Sequence, residues 1–188
     1  MKNIHKIPED ILKKASDGNI EAFEEIYKSA SNFIYNIALR ITNNREDAEE
    51  VTHDVFIKIY KNLKNFGYRS SFTTWIYRIA VNTALTACRK RSRELKRTTL
   101  YTDAIKIRYI EEIVEEEKTK ERNETLLSSI LDILNPDQRA CIVLRDIHEL
   151  SYKEIAKTLN ININTVRSRL KRARKKLLAF VRKGGAVE

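Results

Sequence analysis

Asn164, Thr165, Ser168, Lys171, Arg172 and Lys175 share one side of a segment whose other side is apolar. Together they are a set that can read a nucleic-acid duplex. Asn and Ser hydrogen-bond base edges, Arg forks onto guanine, and Lys neutralises phosphate. A second set is acidic: Glu46, Asp47, Glu49, Glu50 and Asp54 crowd one stretch of a chain that is otherwise basic. Glu49 and His53, like Glu50 and Asp54, stand four apart, which on a helix opens three readings. These are a metal or general-acid site, a solvated face favoured by the helix dipole, and a docking surface that repels DNA and selects a basic partner. A third set joins Trp75, Tyr77 and Arg78 to the basic run Arg89-Lys90-Arg91-Ser92-Arg93. Rings beside cations suit single-stranded nucleic acid, because bases stack on rings whatever their sequence while cations follow the backbone. The ordinary alternative makes Phe72 and Trp75 core anchors.

The elements that must position these sets are helices. On a wheel of about 100° per residue with Val166 at zero, Leu170, Ala173, Leu177, Phe180 and Val181 lie within about 60° of it, a continuous apolar seam. Upstream, Ile155, Ala156 and Leu159 mark a short helix from Ser151. The polar break Asn160 to Asn162 then leads, under an Asn162 cap, into a second helix from Ile163, which is a helix-turn-helix. Ahead of it, Leu126, Leu127, Ile130, Leu131 and Leu134 predict a helix stopped at Asn135-Pro136. Pro136 opens another, carrying Ala140, Cys141, Val143 and Leu144. Nearer the N-terminus, Met1 to Ile7 reads as an arm, and Pro8 opens a short helix ending near Asp17-Gly18. A long helix from Ile20 carries Phe23, Ile26, Tyr27, Ile34, Ile37, Ala38 and Ile41 and stops at Thr42-Asn43-Asn44. The acidic helix starts under Asn44 and runs to about Asn65, with Lys58, Lys61 and Lys64 in its second half. After the loop Phe66 to Ser71, a helix from Phe72 to Arg93 has Phe72, Ile76, Ile79, Ala80, Thr83 and Ala87 as its inward stripe. Glu94 to about Asn123 reads as a linker, with Ile110, Ile113 and Val114 as a short amphipathic piece. Extended, it spans about 80 Å. Gly184-Gly185 ends the last helix.

The 188 residues suit two small domains, and no stretch alternates as a strand does, so the fold class is all-α. The net charge of +10, from 36 basic and 26 acidic residues, fits a polyanionic partner. Cys88 and Cys141 are far apart without a CxxC, which argues against a zinc site or a disulfide framework and for a reducing, cytoplasmic setting. As members of helical patterns they read as packing residues. No apolar run reaches the ~20 residues of a membrane span, and no signal-peptide core stands at the N-terminus. A lone helix-turn-helix binds weakly, and linking it to a second nucleic-acid module raises effective concentration, so the pair suits two separated DNA elements.

Four segments in register, AFEEIY from Ala22, DAEEVTHDVFIKIY from Asp47, FTTWIYRIAVN from Phe72 and SYKEIAKTLNININTVRSRLKRAR from Ser151, resemble the extracytoplasmic-function (ECF) type of bacterial RNA polymerase sigma factor. The resemblance implies a region 2 domain at 1–94, a flexible linker at 95–122 and a region 4 domain at 123–188. It implies docking on the clamp helices of the core polymerase large subunit through Asp47, Glu50, Val51, Asp54, Phe56, Ile57 and Tyr60. It implies capture of the minus-ten non-template strand by Tyr68, Arg69, Ser70, Ser71, Thr74, Trp75, Tyr77, Arg78, Asn82 and Arg89, with flipped bases held in a pocket. The minus-thirty-five duplex would be read by Asn164, Thr165, Arg167, Ser168, Lys171, Arg172 and Lys175. The implied role is not enzymatic and needs no cofactor or metal, and an anti-sigma factor is an implied partner. Asn164 stands where the family often has Gly. The linker is too short for the middle domain of housekeeping sigma factors. A stand-alone helix-turn-helix regulator and a metal-dependent nuclease on Glu49, Glu50, His53 and Asp54 are the rival readings.

Overall fold

The computed structural model describes residues 7–68, 70–99 and 127–182. The described residues are helical, without strands. An N-terminal bundle holds α1 (Glu9–Ser16), α2 (Ile20–Thr42), α3 (Arg45–Asn62), a 3-10 turn (Leu63–Asn65) and α4 (Phe72–Thr99). A C-terminal unit holds α5 (127–132), α6 (Pro136–Ile142) with a widened π-type turn (Val143–Ile147), α7 (Tyr152–Leu159) and α8 (Ile163–Arg182). Arg69, the amphipathic piece at Ile110, Ile113 and Val114, most of the expected linker, and Gly184-Gly185 lie outside the described residues.

Side-chain caps set most of the helix starts. Asn19 Oδ1 accepts from the Ala22 amide at 2.7 Å, and Asn44 Oδ1 from the Asp47 amide at 2.8 Å. Asn135 with Gln138, and Ser151 with Glu154, form reciprocal capping boxes. Gly18, at φ +96°, turns the chain between α1 and α2 in a conformation that favours glycine. Asn43 and Asn160 end α2 and α7 in left-handed geometry, which Asn tolerates better than most residues.

The bundle core is a layer of isoleucines. Ile26, Ile34, Ile37 and Ile41 of α2, Ile59 of α3 and Ile76 of α4 are wholly buried, each contributing about 1.5–3 kcal/mol by leaving water. Helix α4 departs from expectation in two ways. It continues through Thr99, beyond Arg93. It also buries Val81, Ala84, Leu85 and Cys88 besides the expected stripe, while Ile79 and Ala87 are only part-buried. The cause is that α4 packs on α2 and α3 and also against α6 and α7. The two units therefore touch. Arg139 of α6 donates to the Ile41 carbonyl at 3.0 Å, Tyr77 pairs with His148 at 2.6 Å, and the Asn82 amide donates to the Thr158 carbonyl at 3.3 Å.

Candidate nucleic-acid and docking interfaces

Helices α7 and α8 carry the duplex-reading set. Ile155, Leu159, Val166, Leu170 and Ala173 are buried and lock the pair together. Val181, expected in the seam, is instead 54% exposed, because α8 outruns the unit it packs on. The Asn164 amide donates to Asn162 Oδ1 at 2.8 Å, which confirms Asn162 as the cap of α8. Asn164, Arg167, Lys171, Arg172 and Lys175 are exposed on one side, with Thr165 and Ser168 part-buried beside them. Arg167 Nη1 donates to Asn164 Oδ1 at 2.9 Å, so the first-turn amide holds the guanidinium. The Ser168 hydroxyl donates to the Thr165 carbonyl at 3.0 Å, which leaves its lone pairs for a base donor.

A second surface lies on α4 and the loop before it. Phe66 and Phe72 are buried, with ring centroids 5.5 Å apart, and Trp75 stands 5.1 Å from Phe66. Tyr68 holds φ at 51°, unusual for a tyrosine, and presents a half-exposed ring 4.8 Å from Phe66. Ser71 Oγ accepts from the Thr74 amide at 3.1 Å and starts α4. Trp75 forms one wall of an open cavity of about 450 Å³, shared with Lys58, Asn62, Asn65, Arg78 and Asn82. An aromatic wall edged by amides and two cations fits an unstacked base and its phosphates. Lys58, Asn62 and Asn65 were not among the expected DNA residues. Their signal was the polar, Lys-bearing end of α3, whose spacing alone does not say which neighbour it faces. Tyr77 is not brought to this cavity. It packs at 4.9 Å from Phe33 and pairs with His148, and burial pushes its phenol well above the usual value.

The third surface is the outer face of α3. Glu49, Glu50, His53 and Asp54 are exposed side by side, and Ile57 and Tyr60 are exposed below them, Tyr60 by 54%. Among the described residues no group of three or more His, Cys, Asp or Glu is arranged to hold a metal ion. Two expected docking residues face inward: Val51 is 1% and Phe56 5% exposed. They stand a helical step from the acidic positions and belong to the bundle core, so they support the surface from beneath. Asp47 is turned to α4, where it accepts from Arg91 at 2.6 Å. Helix α2 adds two residues of its apolar side and its first residue: Tyr27 is exposed, Phe23 meets Tyr60 edge-on at 5.1 Å, and Ile20 is exposed at the helix start. An apolar patch edged by acids results.

A helix-turn-helix unit joined to a bundle with an aromatic groove defines a helical transcription-factor architecture of two parts. Residues 26–94 match the Sigma-70 region 2 family and residues 125–177 match Sigma-70, region 4. The chain is 31% identical over 176 residues to the ECF RNA polymerase sigma factor SigW of Bacillus subtilis, covering 88% of this chain and 92% of that protein. It is 31% identical over 172 residues to the ECF RNA polymerase sigma-E factor of Escherichia coli, covering 87% and 88%. It is 32% identical to SigE of Mycolicibacterium smegmatis over 162 residues, 86% of this chain but 62% of that longer protein. In fold it is similar to CnrH, solved with the cytosolic domain of CnrY (TM-score 0.64, 22% identity, 94% of this chain and 98% of that one). It is likewise similar to the sigma factor RpoE of Bartonella quintana, solved with the anti-sigma factor NepR (TM-score 0.66, 21% identity, 87% and 98%). The chain belongs to the ECF family of RNA polymerase sigma factors. Among the described residues no helix is long and apolar enough to cross a membrane.

Proposed function

We propose that the chain carries out the sigma role in the cytoplasm without catalysing a bond change: it joins core RNA polymerase, directs it to chosen promoters and helps open them. The observation that carries this reading is the pairing, on one chain, of an aromatic-walled groove on α4 with a polar and basic recognition face on α8. One suits single strand and the other duplex. The region 2 unit extends to the end of α4 at Thr99, and the region 4 unit includes α5 to α8. The minus-ten strand lies along Tyr68, Ser70, Ser71, Thr74, Trp75, Arg78, Asn82 and Arg89, with Lys58, Asn62 and Asn65 on its far side. Arg69, implied by the resemblance, completes that set, whereas Tyr77, implied likewise, is turned to Phe33 and His148 and is left out of it. The minus-thirty-five duplex is read by Asn164, Thr165, Arg167, Ser168, Lys171, Arg172 and Lys175. Core polymerase docks on the patch of Glu50, Asp54, Ile57 and Tyr60, widened by Ile20, Phe23 and Tyr27. Its acids select a basic helical partner, and Val51, Phe56 and Asp47 hold it in shape. An anti-sigma factor, the partner named for the Bartonella protein, would block these same surfaces.

The test mixes the purified protein with core polymerase and promoter DNA. A stable complex and promoter-specific initiation are expected. Failure to bind core removes the sigma reading, and tight specific duplex binding that needs no polymerase would favour a stand-alone regulator.

A further inference from the structure

The arginines of α8 are held in two different ways. Arg169 reaches Asp137 of α6 at 3.4 Å, and Arg174 reaches Asp146 at 2.9 Å, so carboxylates offset both charges and tie the helix to its own unit. Arg167 is held by a neutral group instead. Its Nη1 donates at 2.9 Å to Oδ1 of Asn164, one turn back on the exposed face. The orientation of that amide follows from chemistry, because a guanidinium has donors only and Oδ1 must be the atom turned toward it. Asn164 is fixed in its turn. Its backbone N–H donates to Asn162 Oδ1 at 2.8 Å, and Val166 and Leu170, both sealed in the core, set the roll of the helix.

Two consequences follow for base reading. Asn reads adenine at two points, accepting through Oδ1 while donating through Nδ2, and an Oδ1 turned along the helix to Arg167 is not free for that contact. The guanidinium, in contrast, keeps Nε and Nη2 open side by side. That edge is a fork that matches N7 and O6 of guanine.

We propose that Asn164 is a positioning residue, which holds Arg167 as a guanine reader and acts through Arg167 rather than on a base of its own. The inference rests on the sigma reading and deepens it at the minus-thirty-five face. An unheld arginine samples many rotamers and gives up that freedom on docking, whereas a held plane has given up part of it beforehand. In free solution water competes for the bond and its net effect is small. The major groove excludes water, so the bond weighs more where the guanidinium meets the base. A carboxylate at the same place would orient Arg167 equally well, but its charge would oppose the phosphates. The amide orients the fork and leaves its charge whole.

The test compares base preferences. Wild-type protein with core polymerase retains fragments from genomic DNA, and each base pair of their shared upstream element is then substituted in turn. Binding ratios are measured for wild type, Arg167→Ala, Asn164→Ala, Asn164→Asp and the double alanine variant, with helicity checked by circular dichroism. The base pair whose discrimination collapses in Arg167→Ala marks the Arg167 contact, and it should hold guanine. There Asn164→Ala should lower discrimination about three- to tenfold, the ratio that one modest hydrogen bond supplies. Other pairs should keep their ratios, and the double variant should lose no more than Arg167→Ala alone. Asn164→Asp retains an acceptor, so it should restore the ratio while weakening every sequence. A frayed helix start would weaken all sequences alike and leave the ratios standing. Asn164→Ala acting at a different base pair, adding to Arg167→Ala, or changing no ratio overturns the proposal, as does an Arg167→Ala variant with unaltered preferences. A wild-type protein that does not join core polymerase overturns the sigma reading instead, and the same ratios are then read on duplex that the protein alone retains.

Discussion

Ile57 and Ile59 are two positions apart on α3 and have opposite fates: one is 38% exposed and the other is sealed in the bundle. Ile59→Ala removes buried methylenes and leaves a cavity, so it should cost about 2–5 kcal/mol in urea unfolding. Ile57→Ala should leave unfolding within about 0.5 kcal/mol of wild type, as exposed positions do. Its effect belongs in the binding assay, where affinity for core polymerase should fall. A loss of stability without loss of binding would remove Ile57 from the docking patch. Toward the other end of the chain, Arg172 is exposed, and among the described residues it has no ion pair or side-chain hydrogen bond that would divert it from DNA. Arg172→Ala should weaken discrimination at the minus-thirty-five element by about 1–3 kcal/mol if the guanidinium forks onto a base. If it touches phosphate, all sequences should weaken alike and the salt slope should fall. Competition titrations at several salt concentrations separate the two. Arg167 differs because Asn164 Oδ1 already accepts from its guanidinium, which is thereby pre-set.

At the scale of elements, the caps are where local sequence and structure agree most closely. Ser151 and Glu154 exchange bonds at the start of α7, the Glu154 carboxylate accepting from the Ser151 amide at 2.7 Å. Ser151→Ala should lower stability by about 1 kcal/mol and loosen α7 against α8, measurable as faster amide exchange through Ile155. The caps at Asn44 and Asn162 were legible because a cap needs only its own side chain and a backbone amide two or three positions on. Asn19, Asn135 and Ser151 satisfy the same rule, and the structure adds them as caps. The turn over Val143–Ile147 was not legible. Its apolar spacing serves an ordinary helix, yet the His148 amide reaches the Val143 carbonyl at 3.1 Å, one residue further than α geometry. Nor was the second buried side of α4, because Val81, Leu85 and Cys88 lie off the stripe that one partner defines. Hydrophobic period reveals a face and not what covers it. The same limit hid Tyr27, which shares the apolar pattern of α2 with true core residues yet is exposed.

For the whole molecule, the two units and their order were readable from composition and motif, but their contact was not. Tyr77 and His148 are 71 positions apart and carry no periodic signal for each other. That pair makes the contact sensitive to acid. His148 faces Tyr77 from α4 and Phe33 from α2, and burial first, then the charge of Arg40, hold its imidazole down to about 4 from the usual 6.5. A histidine kept neutral binds fewer protons folded than free. Its contribution is therefore whole above pH 6.5 and declines as pH falls toward 4. The full shift corresponds to about 3 kcal/mol, and partial solvent access reduces what is realised. Small-angle scattering at fixed salt should show the radius of gyration growing as pH falls from 7 toward 4.5. His148→Phe keeps a ring against Phe33 and removes the titrating nitrogen, so its profile should be flatter across that window. Comparing the two isolates the imidazole from Asp132 and Asp137, the carboxylates of the same contact. Identical profiles would mean that His148 does not report on the contact. A flattened variant that still compacts at neutral pH would leave Arg139 and Asn43 holding the units together.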